Sequence, residues 1–199
     1  MKLKATLLLF IASLFTVSCT QKEGILEITV DYQQQIKWAS DQYAIWIEDT
    51  EGNYINTIYV TKYATTEQSY NERPDCVPIW VSKANPAGMT SEEVDAISAA
   101  TPDSGIHTYT WDMKDKAGNK VKSGEYVFIL EATLDGNSRV VYKNNIVMGK
   151  KPVTVSGIPE FTHPEREKHK DMIRSVVANY KPKSVISLSI ILQDSNDGH

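Results

Sequence analysis

Apolar side chains recur at every second position in one short segment after another along this chain, and that period leaves few folds open. Leu26, Ile28, Val30 and Tyr32 point one way while Glu27, Thr29 and Asp31 point the other, the signature of a half-buried strand. Two more strands are expected over 43–49 and 54–61. They are joined by Glu51-Gly52-Asn53, whose Gly and Asn tolerate positive φ. Strands are expected again over 106–111, 125–133 and 139–147, with turns at 115–119 and at Asp135-Gly136-Asn137, and a short extension over 153–155. Segment 173–180 fits either a helical face or a strand, and Pro182 close behind it favours the strand. Residues 186–192 alternate once more. About eight strands, hairpin turns and no long helix predict an all-β fold, an immunoglobulin-like antiparallel β-sandwich. Trp46, Tyr59, Trp111 and Phe128 are the expected core aromatics.

The alternation stops between residues 62 and 105. That stretch holds Pro74, Pro78, Pro86, Gly88 and Pro102 among many Ser, Thr and Ala residues. It reads as an irregular insertion carrying one short helix over 91–97, with Ser91 as N-cap and Glu92 and Glu93 in the first turn. A stretch this long without regular structure inside a compact domain is often functional. The sandwich is expected to be a single domain over 25–192, with a polar tail over 193–199.

The N-terminus carries a second kind of information. Lys2 and Lys4 precede an apolar run from Leu7 to Phe15 broken by Ser13. A bilayer span needs roughly 20 apolar residues, so this run is too short, and it has the length of a signal-peptide core. It ends in Thr16-Val17-Ser18-Cys19, small residues before a Cys, with Thr16 where a leucine is usual. The expectation is a lipoprotein signal peptide over 1–18, lipidation of Cys19 and a short tether over 19–24. Ordinary secretion with an unmodified Cys19 is the alternative. More than one acyl chain at Cys19 gives stable anchoring where a single chain is marginal. The protein would sit in the cell envelope, facing the periplasm or the cell surface.

Composition narrows the chemistry. A net charge of −4 and only Lys143, Lys150 and Lys151 as a basic group argue against nucleic acid as a partner. Once Cys19 is lipidated, Cys76 has no second thiol to pair with, and it reads as a buried, inert thiol. His107, His163, His169 and His199 lack zinc spacing. Asp112, Asp115, Asn119 and Glu125 read as turn residues, not as a calcium loop. The mixed charges of 163–171 read as a solvated face. No nucleophile elbow is present, and no catalytic residue is assigned.

Two stretches resemble known families. Trp111, Asp112, Asp115, Gly118, Val121, Gly124 and Tyr126 fall in the pattern W-D-x-x-D-x-x-G-x-x-V-x-x-G-x-Y. It resembles the hairpin of immunoglobulin-like modules related to the flagellar hook-capping protein, and it implies fold, not activity. In it, Asp115 can form an Asx-turn and Gly118 supplies a left-handed turn residue. More broadly, the order of Tyr43 to Gly52, Val94 to Thr101 and Gly105 to Asp112 resembles the predicted periplasmic family called domain of unknown function 2271, over roughly residues 25–192. That resemblance implies a sandwich and carries no activity.

Asp95-Ala96-Ile97-Ser98-Ala99-Ala100-Thr101 also resembles the attachment motif D-x-x-S/T-G-A-T of covalently flavinylated extracytoplasmic proteins. There a dedicated flavin transferase moves FMN phosphate from FAD onto the final Thr hydroxyl. Ala99 stands where the motif has Gly, and a left-handed backbone there would strain it. The plainer reading of the same residues is a helix C-terminus followed by a loop. Two function classes stay open. The first is a non-enzymatic, membrane-anchored sandwich that binds or scaffolds an unknown envelope protein. The alternative is an extracytoplasmic redox carrier with covalent FMN at Thr101.

Overall fold

The structure, a computed structural model, describes residues 24–35, 41–134, 138–162 and 170–183. In β1 (Gly24–Tyr32) buried and half-buried residues alternate without a break, as the period-2 pattern requires. β1 pairs antiparallel on one side with β5 (Gly105–Trp111) and on the other with β10 (Ile173–Pro182), so that Leu26 lies opposite both Trp111 and Tyr180. β8 (Val153–Ser156) adds to β10, giving a four-stranded sheet in the order β5-β1-β10-β8.

The second sheet contains β2 (Gln42–Asp49), β3 (Tyr54–Thr61), β4 (Ser98–Ala99), β6 (Gly124–Thr133), β7 (Arg139–Met148) and β9 (Ile158–Thr162), in the order β4-β3-β2-β6-β7-β9. Every pairing is antiparallel except β3 with β4. The two sheets close on a core that includes Leu26, Ile28, Val30, Ile45, Ile47, Phe128, Leu130, Val176 and Ala178. Each such side chain contributes roughly 1.5–3 kcal/mol of transfer free energy when fully buried. The expected all-β sandwich is the fold found.

The six-stranded sheet has a second buried face. Ala44, Trp46 and Val60 point away from the first sheet and pack against Ala64, Cys76, Val77 and Trp80. Tyr43 to Ile47 are therefore buried without interruption, which is why β2 reads as a continuous apolar run.

What covers that face corrects the sequence reading. The stretch over 62–105 is not irregular. It folds into α1 (Glu67–Glu72), α2 (Pro78–Ala84) and α3 (Ser91–Ile97), with two short 3-10 turns at Lys62–Thr65 and Pro86–Gly88. Each helix is too short to display a 3.6-residue period. The helix over 91–97 is present, but its N-cap is Thr90, not Ser91. Thr90 accepts the N–H of Glu93, and the Glu93 carboxylate accepts the N–H of Thr90, a closed capping box. β9 was not expected. It is an edge strand, where Pro159 costs no ladder hydrogen bond. The Asp115 turn forms as foreseen: its carboxylate accepts the N–H groups of Ala117 and Asn119, and Gly118 takes φ +82°. Residues 1–18, Cys19, the turn at 135–137, His163, His169, His199 and the strand expected over 186–192 lie outside the described residues.

Candidate functional site

The helical cover is held from β6. Glu131 lies in an apolar run yet is fully buried. Its carboxylate accepts the backbone N–H groups of Ile79 at 3.2 Å and Trp80 at 2.9 Å, two of the orphan donors that open α2. Two residues on, Thr133 Oγ1 accepts the N–H of Val77 at 2.8 Å and donates to the Asp75 carbonyl. Val77 is thereby fixed at φ +40°, a costly conformation for a β-branched residue. Burial raises the Glu131 carboxyl to about 6, against the lowering effect of the two N–H bonds and of Arg139. Trp80 donates its indole N–H to Thr57 Oγ1 at 2.9 Å, tying the cover to β3 as well. Cys76 is buried beneath it, and burial pushes its thiol up.

α3 leads straight into the segment marked by the sequence. Asp95 is exposed and ion-paired with Lys62, at the end of β3. The pair links the exposed side of α3 to the turn that follows β3, and Asp95 makes no hydrogen bond to the loop. Ser98 and Ala99 form β4 opposite Val60 and Thr61. Ala99 is exposed in extended backbone, and only Val77, Asn85 and Met113 among the described non-glycine residues take positive φ. The strain feared at Ala99 is absent. The Ser98 and Thr61 hydroxyls are buried with no hydrogen-bond partner among the described residues. Ala100 is exposed and Thr101 half-exposed.

Loop 100–104 then crosses from the edge of one sheet to the edge of the other. Tyr59 donates its hydroxyl to the Ala100 carbonyl at 3.1 Å. The Asp103 carbonyl lies 2.7 Å from His107 Nε2, and Ser104 Oγ accepts the N–H of Gln34 at 2.9 Å. Under this loop four tyrosines converge. Ring centroids are 4.3 Å apart for Tyr59 and Tyr109, 5.1 Å for Tyr43 and Tyr59, and 5.5 Å for Tyr32 and Tyr43. The hydroxyls of Tyr43 and Tyr109 share a hydrogen bond. Burial, ahead of these contacts, raises all four phenols above their usual range, so they stay neutral hydrogen-bonding groups.

The structure thus gathers Ser98, Ala99, Ala100 and Thr101 on one surface segment and places Asp95 one helical turn away. Sequence reasoning missed Lys62, Tyr43, Tyr109 and Glu131 as parts of this arrangement. Glu131 left one signal, a lone charge between Leu130 and Ala132. Among the described residues, no group of three His, Cys, Asp or Glu side chains could hold a metal ion.

A two-sheet sandwich, covered on one face by a short-helix insertion that presents a surface loop, defines the class of this protein. The family model "Predicted periplasmic protein (DUF2271)" matches residues 25–162, and the chain belongs to that family. The match runs from β1 to β9 and includes the whole cover and loop. It stops before β10, although β10 is central to the four-stranded sheet. No curated protein and no solved structure matches the chain. The family places the protein outside the cytoplasm, and among the described residues no helix is long and apolar enough to cross a membrane.

Proposed function

We propose that this protein is a periplasmic carrier of covalent FMN, with Thr101 as the attachment residue and a lipid on Cys19 as the membrane anchor. One observation carries the reading: Asp95 to Thr101 stands on the surface as a fixed segment whose Ala99 needs no left-handed backbone. A Gly is then dispensable at that position, and the small side chains of Ala99 and Ala100 leave the backbone open to a transferase.

The attachment step balances without a base from this chain. Thr101 Oγ attacks the phosphorus of the FMN half of FAD. A P–O bond forms to Thr101, the pyrophosphate P–O bond breaks, and AMP leaves. The hydroxyl proton passes to the transferase, since an unassisted Thr hydroxyl is a weak nucleophile at neutral pH. Asp95 is engaged with Lys62 and positions α3. Tyr59 holds the Ala100 carbonyl, next to the half-exposed Thr101. Bound FMN supplies one- and two-electron transfer. Co-expression of the full chain with a flavin transferase should give a yellow protein, and colourless protein beside an active transferase would contradict the reading.

Binding or scaffolding of an envelope protein is the second reading. It draws on β5, which ends its sheet and carries Ile106 at 74% exposure, an edge open to strand addition.

A further inference from the structure

The two sides of the sandwich end differently. On one side β8 passes through Gly157 directly into β9 of the other sheet. The Gly157 N–H donates to the Val176 carbonyl at 2.8 Å, so the chain itself closes that side. On the other side β5 ends its sheet, with β1 as its one strand partner among the described residues. Along this edge exposed Ile106, Thr108 and Thr110 alternate with half-buried His107 and Tyr109. Gly105 to Trp111 include no Lys, Arg, Asp, Glu or Pro, the residues that usually protect a bare edge. Across from it β4 covers only Val60 and Thr61 of β3. A cleft of about 700 Å³ opens there, with Ile58 of β3, Ile97 of α3 and Thr110 of β5 among its walls.

We propose that residues 186–192 of this chain add to the free edge of β5 as an antiparallel strand and close the open side of the sandwich. Such a strand is independent of attachment at Thr101. Pro182 lies opposite Gly24, and Trp111 lies opposite Leu26, two residues along β1. β10 therefore delivers the chain to the end of the sheet at which β5 finishes, and a segment turning back from there runs antiparallel to β5. The β8 edge is nearer to β10, but the same segment would lie parallel to β8 and on the closed side. Reach suffices for β5. Three strand spacings sideways and two residues along the sheet make roughly 16 Å, and the six steps from Pro182 to Leu188 span up to about 20 Å. The pattern fits the edge. Ile186, Leu188, Ile190 and Leu192 alternate with Ser187, Ser189 and Ile191. With Leu188 opposite Trp111, Ile190 falls opposite Tyr109 and Leu192 opposite His107. Trp111 and Tyr109 pack into the core between the sheets, so this apolar row faces the open side of that core. Ser189 and Ile191 join Thr110 and Thr108 on the outer face, with Ile191 diagonal to exposed Ile106. A slip of one residue would turn the apolar row to solvent.

Hydrogen exchange on the full chain tests the added strand, read on peptides covering 105–111 and 186–192. Alternate N–H groups of β5 face β1, and the others face the free edge. In the native chain both peptides should exchange about 100-fold or more slowly than in the unfolded chain. Leu188→Asp with Ile190→Asp should return 186–192 and the edge-facing N–H groups of 105–111 to fast exchange, while β1 and β10 stay protected. Ile190→Ser, a milder change, should raise both rates in the same sense. Ser189→Asp, on the outer face, should leave both peptides protected. Exchange of 186–192 at the unfolded rate in the native chain would overturn the proposal. So would a double variant that frees 186–192 but leaves 105–111 unchanged, because the segment would then dock elsewhere. Protection that vanishes as a dimer dissociates on dilution would give the edge to a second copy of the chain, and would overturn the proposal too.

Discussion

The Glu131 carboxylate accepts the backbone N–H of Trp80 at 2.9 Å, so a strand residue does the capping that α2 does not do for itself. Val77, the N-cap of α2, makes no side-chain cap bond. Removing the carboxylate leaves buried donors unpaired, and Glu131→Ala should cost on the order of 3 kcal/mol. Equilibrium denaturation measures this, and a loss under about 1 kcal/mol would contradict the cap.

The same residue predicts a pH dependence. Burial raises the Glu131 carboxyl to about 6 in the folded protein, above its value of about 4.3 in an unfolded chain. The protonated form is the one folding favours. Its contribution is complete below the unfolded value and is lost as pH rises through about 6. Other carboxylates work the opposite way: the Arg73 hydrogen bond lowers Asp75. The comparison must therefore be with Glu131→Gln. Its stability deficit relative to the native chain should be larger near pH 5 than near pH 7, and a deficit that grows towards pH 7 would reverse the sign argued here.

Trp80 and Trp111 belong to different cores, and their truncations should separate. Each is at most 3% exposed, and each change to Ala should cost about 3–5 kcal/mol. Trp80→Ala removes the centre of the helical cover but touches no residue between the sheets, so limited proteolysis should cut within 62–97 first. Trp111→Ala strikes the inter-sheet core, where the indole packs against Tyr126 and donates to the Lys114 carbonyl. It should lower stability of the whole sandwich without that selective cleavage. Identical cleavage patterns would show that cover and sandwich unfold as one.

The strands were legible because one face of most of them meets polar surroundings, so the side-chain period survives in the sequence. The cover was not, because its order comes from tertiary bonds: Glu131 to Trp80, Thr133 to Val77 and Thr57 to Trp80. No local period in six or seven residues could announce them. Thr90 and Ser91 are both good caps, and only Glu93 at the third position from Thr90 decides between them. The loop at Thr101 was legible as a motif. The tyrosines beneath it were visible only as strand residues, since their convergence depends on registers such as Ile28 opposite Tyr109 and Tyr32 opposite Gly105.

Anchoring is tested at Cys19. A positive start, a short apolar run and small residues precede it, and its acyl chains would hold the protein at the membrane. Cys19→Ser should move the protein from the membrane fraction to the soluble fraction, or leave it unprocessed. Unchanged partitioning and normal processing would remove the anchor from the account.

Attachment at Thr101 is the central claim, and intact-mass spectrometry reads it directly. The native chain, expressed with an active flavin transferase, should carry one FMN in phosphodiester linkage. Thr101→Val should carry none, and Asp95→Asn should reduce loading through loss of the Lys62 pair that positions α3. An unmodified mass for the native chain, or an FMN mass that persists in Thr101→Val, would contradict the claim.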